Sequence, residues 1–249
     1  MSKKQDSSPS KRQVLKEQRA KKQRQQRLFV IGGIVVVALL FILLLALPSI
    51  QEAATPVGAI ATITSKGLEE KGDATLGDPN APVKIEVFED FQCPACRTYS
   101  ETIEPRIIDS YVTPGKVYYV FRQFPFIDDK APTKESDQAA NSSLCAAEQK
   151  RFWDYHDMLF ANWNGENQGS FSDRRLKAFA ETLKLDMNAF NTCFAAKRFQ
   201  QIINAGLADG QRLGVTGTPS VFVNGTQITP GFIPSYEEIQ KAVEAALAP

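Results

Sequence analysis

Val83-Lys84-Ile85-Glu86-Val87-Phe88-Glu89-Asp90-Phe91-Gln92-Cys93-Pro94-Ala95-Cys96 runs from β-branched and aromatic residues straight into two closely spaced cysteines. Val83 to Phe88 reads as a strand, opened by the turn-rich Gly77-Asp78-Pro79-Asn80-Ala81-Pro82. Beyond the cysteines, Arg97 to Ile108 offers apolar residues at roughly helical spacing and breaks before Thr113-Pro114-Gly115. The pair therefore lies between a strand and the start of a helix. The first turn of a helix has unpaired N–H groups and a partial positive charge, which stabilise a thiolate. Cys93 is thus the expected nucleophile. Cys96 follows one helical turn later and can close a disulfide with it, while Pro94 fits the first turn, where its missing N–H is not needed. Pro94 and Ala95 form the active-site loop. Zinc would use such a pair only with two further ligands nearby, and the chain has just two other cysteines and one histidine. No metal and no cofactor are expected.

Working outward, Val117 to Arg122 is the next strand, and residues from about 133 to 213 change to amphipathic helical patterning, as in Ala139 to Lys150 and Arg175 to Leu183. Gly214-Val215-Thr216-Gly217-Thr218-Pro219 then precedes the strand Ser220 to Val223, which turns at Asn224-Gly225 into a partner at Gln227 to Thr229. Pro219 at the first strand position costs no ladder hydrogen bond. A cis Thr218-Pro219 bond is one reading, and a trans proline punctuating a loop is the other. Ser235-Tyr236-Glu237-Glu238 starts a last helix, with Ile239, Val243 and Leu247 at a spacing of four. Cys145 and Cys193 both fall in the helical block. With Cys93 and Cys96 paired by proximity, these two are expected to form a structural disulfide in an oxidising compartment; two buried free thiols, or a second redox pair relaying electrons to Cys93, are the alternatives. His156, the only histidine, sits in the aromatic run Phe152 to Phe160 and reads as a packed helical residue.

The chain has 249 residues, of which 43% are hydrophobic and 23% charged, which excludes wholesale disorder and a disulfide-only scaffold. Its formal net charge of +1 conceals a strong asymmetry. Residues 1–27 carry a net +8 and the remainder −7. Between them Leu28 to Leu47 is an uncharged run closed by Pro48, long enough to span a bilayer. Lys and Arg crowd only its N-terminal flank, so the positive-inside rule leaves the tail in the cytoplasm and exports the body. An uncleaved anchor is the reading adopted over a signal peptide cut near Ala53 or Ala54, whose apolar region would be shorter. The basic tail sets topology and touches anionic lipid; without base-stacking aromatics it gives no reason to invoke nucleic acid. The expected organisation is a basic cytoplasmic tail over 1–27, a transmembrane anchor over 28–48, a linker over 49–72 and an exported domain over 73–249.

These pieces together resemble the membrane-anchored, DsbA-like branch of the thioredoxin superfamily. Its marks here are Leu76 to Val83, Asp90 to Cys96, Phe152-Trp153, Gly214 to Pro219 and Phe222 to Gly225. The resemblance implies an α/β class thioredoxin fold with a helical insertion at about 133–213. It also implies an attacking Cys93, a resolving Cys96, and a cis-Pro219, preceded by Thr218, facing the pair where substrate backbone docks. Family members with an extra cysteine pair in the insertion support Cys145 with Cys193. DsbA-like sequences commonly place a buried acid six positions before the first cysteine, and here that position is Val87. Glu86 would face the other side of the sheet, leaving Glu89 and Asp90 as candidates for proton transfer. The implied activity is extracytoplasmic thiol:disulfide exchange, as an oxidase acting on exported proteins with free thiols. A DsbB-like or VKOR-like membrane protein would be its redox partner. A reductase or isomerase of the same fold, or a non-catalytic tethered module, is the alternative.

Overall fold

The computed structural model describes Lys22, Arg24 and residues 27–44, 57–68, 70–130 and 133–248, with 129–130 as backbone only. The chain divides after Pro56 into two units. In the first, helix α1 (Arg27–Leu44) is 18 residues long with a mean hydropathy of 2.9. At about 1.5 Å per residue it is long and apolar enough to cross a membrane. Residues 45–48 of the expected anchor, 49–56 of the expected linker and most of the basic tail lie outside the described residues.

The second unit is built on a five-stranded sheet of β1 (Thr75–Leu76), β2 (Val83–Glu89), β3 (Val117–Gln123), β4 (Ser220–Val223) and β5 (Thr226–Gln227), in the order β1-β3-β2-β4-β5. Strand β2 is parallel to β3 on one side and antiparallel to β4 on the other. The parallel pair needs a crossover, supplied by α2 (Pro94–Thr102), α3 (Glu104–Ile107) and a π-helical turn over Ile108–Val112. Alternation along β2 sends Val83, Ile85, Val87 and Glu89 into the main core, where all four are fully buried. Lys84, Glu86 and Phe88 face the other way. There Glu86 meets Lys84 and Arg122, and Phe88 packs in a smaller cluster with Phe124, Val215 and Phe222.

Between β3 and β4 the described residues form a 3-10 turn (Ile127–Lys130) and five α-helices, α4 (Glu135–Ala147), α5 (Phe152–Ala161), α6 (Asp173–Thr182), α7 (Met187–Ala195) and α8 (Gln200–Arg212). Helix α4 is buried along most of its length, which its small Ala and Ser residues allow. A disulfide joins Cys145 of α4 to Cys193 of α7, with the two Cα atoms 5.8 Å apart. Helix α8 approaches β3 so closely that a Cβ on Gly206 would stand 2.4 Å from the Gln123 carbonyl oxygen. The chain ends in α9 (Tyr236–Leu247), started by a capping box in which Ser235 and Glu238 satisfy each other's backbone N–H.

The expected linker over 49–72 requires correction at its C-terminal part. Ile60, Ile63 and Leu68 pack against the core, Asn162 exchanges hydrogen bonds of 2.8 and 2.9 Å with the backbone of Ala61, and the Glu70 carboxylate accepts from the first N–H groups of α5. This segment crosses the domain without helix or strand of its own, so its anchors have no periodicity to betray them. The described part of this segment is held to the domain from Val57 onward, where Arg175 donates to the Val57 carbonyl.

The Cys145–Cys193 link closes a loop of 48 residues, and on the loop-entropy model its removal costs about 4 kcal/mol. The double substitution Cys145→Ser/Cys193→Ser is expected to lower the urea-unfolding free energy by roughly that amount. An unchanged unfolding midpoint would mean that the bond constrains nothing the helices do not already hold.

Candidate active site

Strand β2 is paired on both edges up to Glu89, and the chain then turns through a hydrogen bond from the Cys93 N–H to the Asp90 carbonyl, 2.9 Å. The turn leaves Cys93 as the N-cap of α2, with Pro94 at its first position. Cys93 is 7% exposed and Cys96 fully buried, both as free thiols. The Thr218–Pro219 peptide is cis, and the Cys93 thiol donates to the Thr218 carbonyl at 3.3 Å. Two segments of the second unit, 125 positions apart in sequence, thus meet at one sulfur.

The two sulfurs differ sharply as acids. The hydrogen bond from Cys96 draws Cys93 down from the ordinary 9.0 to about 6, against the effect of burial and with help from Thr218 and the N–H groups of Cys96 and Ala95. The carbonyl of Thr218 can serve only the protonated thiol. Its hydroxyl is buried with no other hydrogen-bond partner among the described residues, and can turn to the thiolate. Burial, above all, pushes Cys96 far up. At neutral pH the reduced pair is therefore one thiolate over one thiol. The stabilisation of the reduced state by Cys93 is complete above about pH 9 and is lost as pH falls through about 6.

The two acidic candidates part company. Asp90 accepts from the Gln92 and Ile127 N–H groups and the Ser136 hydroxyl at 2.8, 3.0 and 2.6 Å, so its carboxylate holds the turn rather than the sulfurs. Burial nonetheless lifts it to about 7. Glu89, two residues after Val87 and so on the same sheet face, is the acid that lies beneath the cysteines. Neither of its oxygens has a hydrogen-bond partner among the described residues. Burial, then the charges of Glu104 and Cys93, push it well above the carboxylate range, opposed by the nearby Cys96 thiol.

Several site residues carried no sequence signal. Gln92 is fully buried, bonding Ser136 and Asp128 by its amide nitrogen and the Asn167 N–H by its oxygen, while the Trp163 indole donates to its carbonyl at 2.8 Å. The insertion is thereby fastened to the active-site turn. His156 is packed among Phe91, Phe121, Phe152, Trp153 and Phe160, as its helical setting suggested. It also comes close to Glu89 and Glu104, which its position in sequence did not suggest: one donor atom from each of the three lies within 4.8 Å of the others. Beside Pro219, a groove of about 410 Å3 is lined by Thr216, Ser220, Phe232 and Ile233 among others, with Phe232 77% exposed.

A sulfur that remains a thiolate at neutral pH, next to one that keeps its proton, is suited to trading disulfides, and the sheet that presents it is that of the thioredoxin-like oxidoreductases. The family model described as Thioredoxin matches residues 69–245, and the chain belongs to that family. A probable disulfide bond formation protein D from Bacillus cereus is 32% identical over 203 residues, covering 77% of this chain and 90% of the relative. The crystal structure of oxidised BdbD from Bacillus subtilis superposes with a TM-score of 0.63 at 25% identity, over 75% of this chain and 99% of that one. The DsbA of Chlamydia trachomatis shares the fold, with a TM-score of 0.58 at 23% identity over 76% of this chain and 96% of that one. The chain is a DsbA-like protein thiol-disulfide oxidoreductase.

Alkylation of the reduced protein by iodoacetamide across pH 4–9 is expected to follow Cys93 with a midpoint near about 6. Thr218→Val should move that midpoint upward. A wild-type midpoint near the ordinary thiol value of 9.0 would contradict the hydrogen-bonded thiolate.

Proposed function

We propose that this protein is an oxidase that introduces disulfides into exported proteins through the Cys93–Cys96 pair. The observation that carries the reading is the split between the two sulfurs, Cys93 drawn to about 6 and Cys96 pushed far up. A thiolate stabilised on Cys93 is a good leaving group, and a stabilised reduced form makes the oxidised form the stronger oxidant. A substrate thiolate attacks the Cys93 sulfur of the disulfide, Cys96 departs, and a second substrate thiolate then displaces Cys93. Thr218 and cis-Pro219 receive the substrate backbone, and the groove with Phe232 and Ile233 receives an apolar segment of it. Glu89, beneath Cys96, supplies the proton that this sulfur takes up.

Helix α1 tethers the catalytic unit to the cell membrane as a single span, with the basic tail in the cytoplasm against anionic lipid and the catalytic unit outside. The reduced pair is reoxidised by a quinone-linked membrane protein of the DsbB or VKOR type. The names of the Bacillus relatives, disulfide bond formation protein D, support this direction of electron flow.

The reduction potential of the Cys93–Cys96 pair, measured on the full chain in detergent against glutathione, is expected between about −120 and −180 mV. A value near about −270 mV would instead mark a thioredoxin-like reductant fed by an electron donor. Cys96→Ala should accumulate mixed disulfides with client proteins and Cys93→Ser should have no activity; normal turnover by the Cys93→Ser protein would refute the assignment.

A further inference from the structure

Cys96 must gain a proton each time the pair is reduced, and the geometry around it limits where that proton comes from. The sulfur has no exposed surface, and Cys93 above it has little. A substrate joined to Cys93 and lying against Pro219 covers what remains. Below Cys96 the protein is unusually rich in ionisable groups for a core.

Glu89 on β2, Glu104 on α3 and His156 on α5 are each fully buried. One donor atom of each lies within 4.8 Å of the other two, and both oxygens of Glu89 and Nε2 of His156 have no hydrogen-bond partner among the described residues. His156 Nε2 stands 3.9 Å from the Glu104 carboxylate. Its other nitrogen, Nδ1, is 3.0 Å from Asp157 Oδ1, and Asp157 Oδ2 is 2.7 Å from the ammonium of Lys66. The Lys66 side chain is 37% exposed. Tyr119 on β3 donates to Glu104 at 3.1 Å and stands 3.3 Å from the hydroxyl of Tyr99 on α2, completing the titratable groups that face the cluster.

A structural histidine needs its polar edges satisfied, yet here the edge nearest Glu89 and Glu104 has no hydrogen bond among the described residues, while the other is bonded to Asp157. We propose that Glu104, His156 and Asp157 form an inner proton path that connects Glu89, and through it the sulfur of Cys96, with solvent beside Lys66. This path rests on the oxidase reading. The separations of 3.9 and up to 4.8 Å exceed a direct hydrogen bond. One water bonded to Glu89, Glu104 and His156 would bridge them, and a buried water with three polar partners is an ordinary occupant of such a place.

In the first step a substrate thiolate forms a bond to Cys93 Sγ, the Cys93–Cys96 bond breaks, and its electron pair leaves on Cys96 Sγ. That sulfur takes the proton of neutral Glu89. Glu89 regains one from Glu104, Glu104 from His156 Nε2, and His156 receives one at Nδ1 from the Asp157 side. The second substrate thiolate then displaces Cys93 as a thiolate. In sum, a substrate dithiol is oxidised to a disulfide and the enzyme disulfide is reduced to a thiolate and a thiol. Two protons leave the substrate, one returns through the core, and one is released. Glu104, His156 and Asp157 touch neither substrate nor sulfur and are positioning residues.

Single-turnover reduction of the oxidised full chain by a peptide dithiol, followed by stopped flow between pH 5 and 8 in H2O and D2O, tests the path. His156→Gln should slow the reaction roughly tenfold or more and enlarge its solvent isotope effect, while the Cys93 alkylation midpoint stays where it was. Phe152→Leu, which disturbs the packing of the same ring without removing a proton carrier, should leave rate and isotope effect near wild type. Asp157→Asn, at the edge of the fold, should show the same signature more weakly and serves where His156→Gln does not fold. Wild-type rates and isotope effects in both His156→Gln and Asp157→Asn would overturn the proposal. So would equal effects of His156→Gln and Phe152→Leu, or a slowing that tracks a displaced Cys93 midpoint. Failure of the wild-type protein to exchange disulfides with the peptide at all would instead remove the oxidase reading on which the path depends.

Discussion

Strand β2 is hydrogen-bonded along both edges, to β3 and to β4, and that double pairing positions every group of the active site. A strand held on two sides cannot slip by a residue without turning its whole inward set outward. Val83, Ile85, Val87 and Glu89 are therefore committed together to one face, and the last of them brings an acid into the core. The turn after Glu89 starts from a fixed point and delivers Cys93 to the cap of α2 and Cys96 to its buried side. The partner on one edge, β4, begins immediately after cis-Pro219, so the same ladder that fixes the acid also fixes the distance from Thr218 to the reactive sulfur.

The chemistry of the pair arises from the uneven surroundings of two identical side chains. Cys93 has a hydrogen-bond donor in Cys96, N–H groups at a helix start and a neighbouring hydroxyl, all of which favour the anion. Cys96 lies under it, fully buried and with Glu89 close by, which favours the neutral form. The sulfur nearer the surface thus carries the charge and the deeper one the proton. With the proton held deep, its route in and out becomes a property of the fold rather than of the solvent.

Much of this is legible in the sequence, and the reasons are particular. Val83 to Phe88 and Val117 to Arg122 are dense in strand formers, the cysteine pair is local, and Ser235 with Glu238 announces the last helix; each is a signal held within a few residues. The disulfide required only that four cysteines be divided into pairs. Other features are joined over distances that no local pattern records. Glu104 and His156 meet across 52 positions, Thr218 and Cys93 across 125, and Asn162 grips Ala61 across 101. The choice between Glu89 and Asp90 shows the same limit. Adjacent residues of one charge type point opposite ways at a strand end, and only the partners, three donors for Asp90 and none for Glu89 among the described residues, tell their roles apart.

The second cysteine pair has a further meaning for a protein of this kind. Cys145 and Cys193 are almost wholly buried, at 1% and 0% exposure, whereas Cys93 reaches the surface. Thiol-disulfide exchange requires a thiolate to reach a sulfur along the bond axis, and after folding none can reach this one. The molecule therefore holds two cysteine pairs of different accessibility: one is placed to exchange with other thiols, and the other is shielded inside the helical block. A thiol-disulfide oxidoreductase with a second pair buried in this way must acquire that bond before the helices close over it, because its finished fold offers an attacking sulfur almost no access.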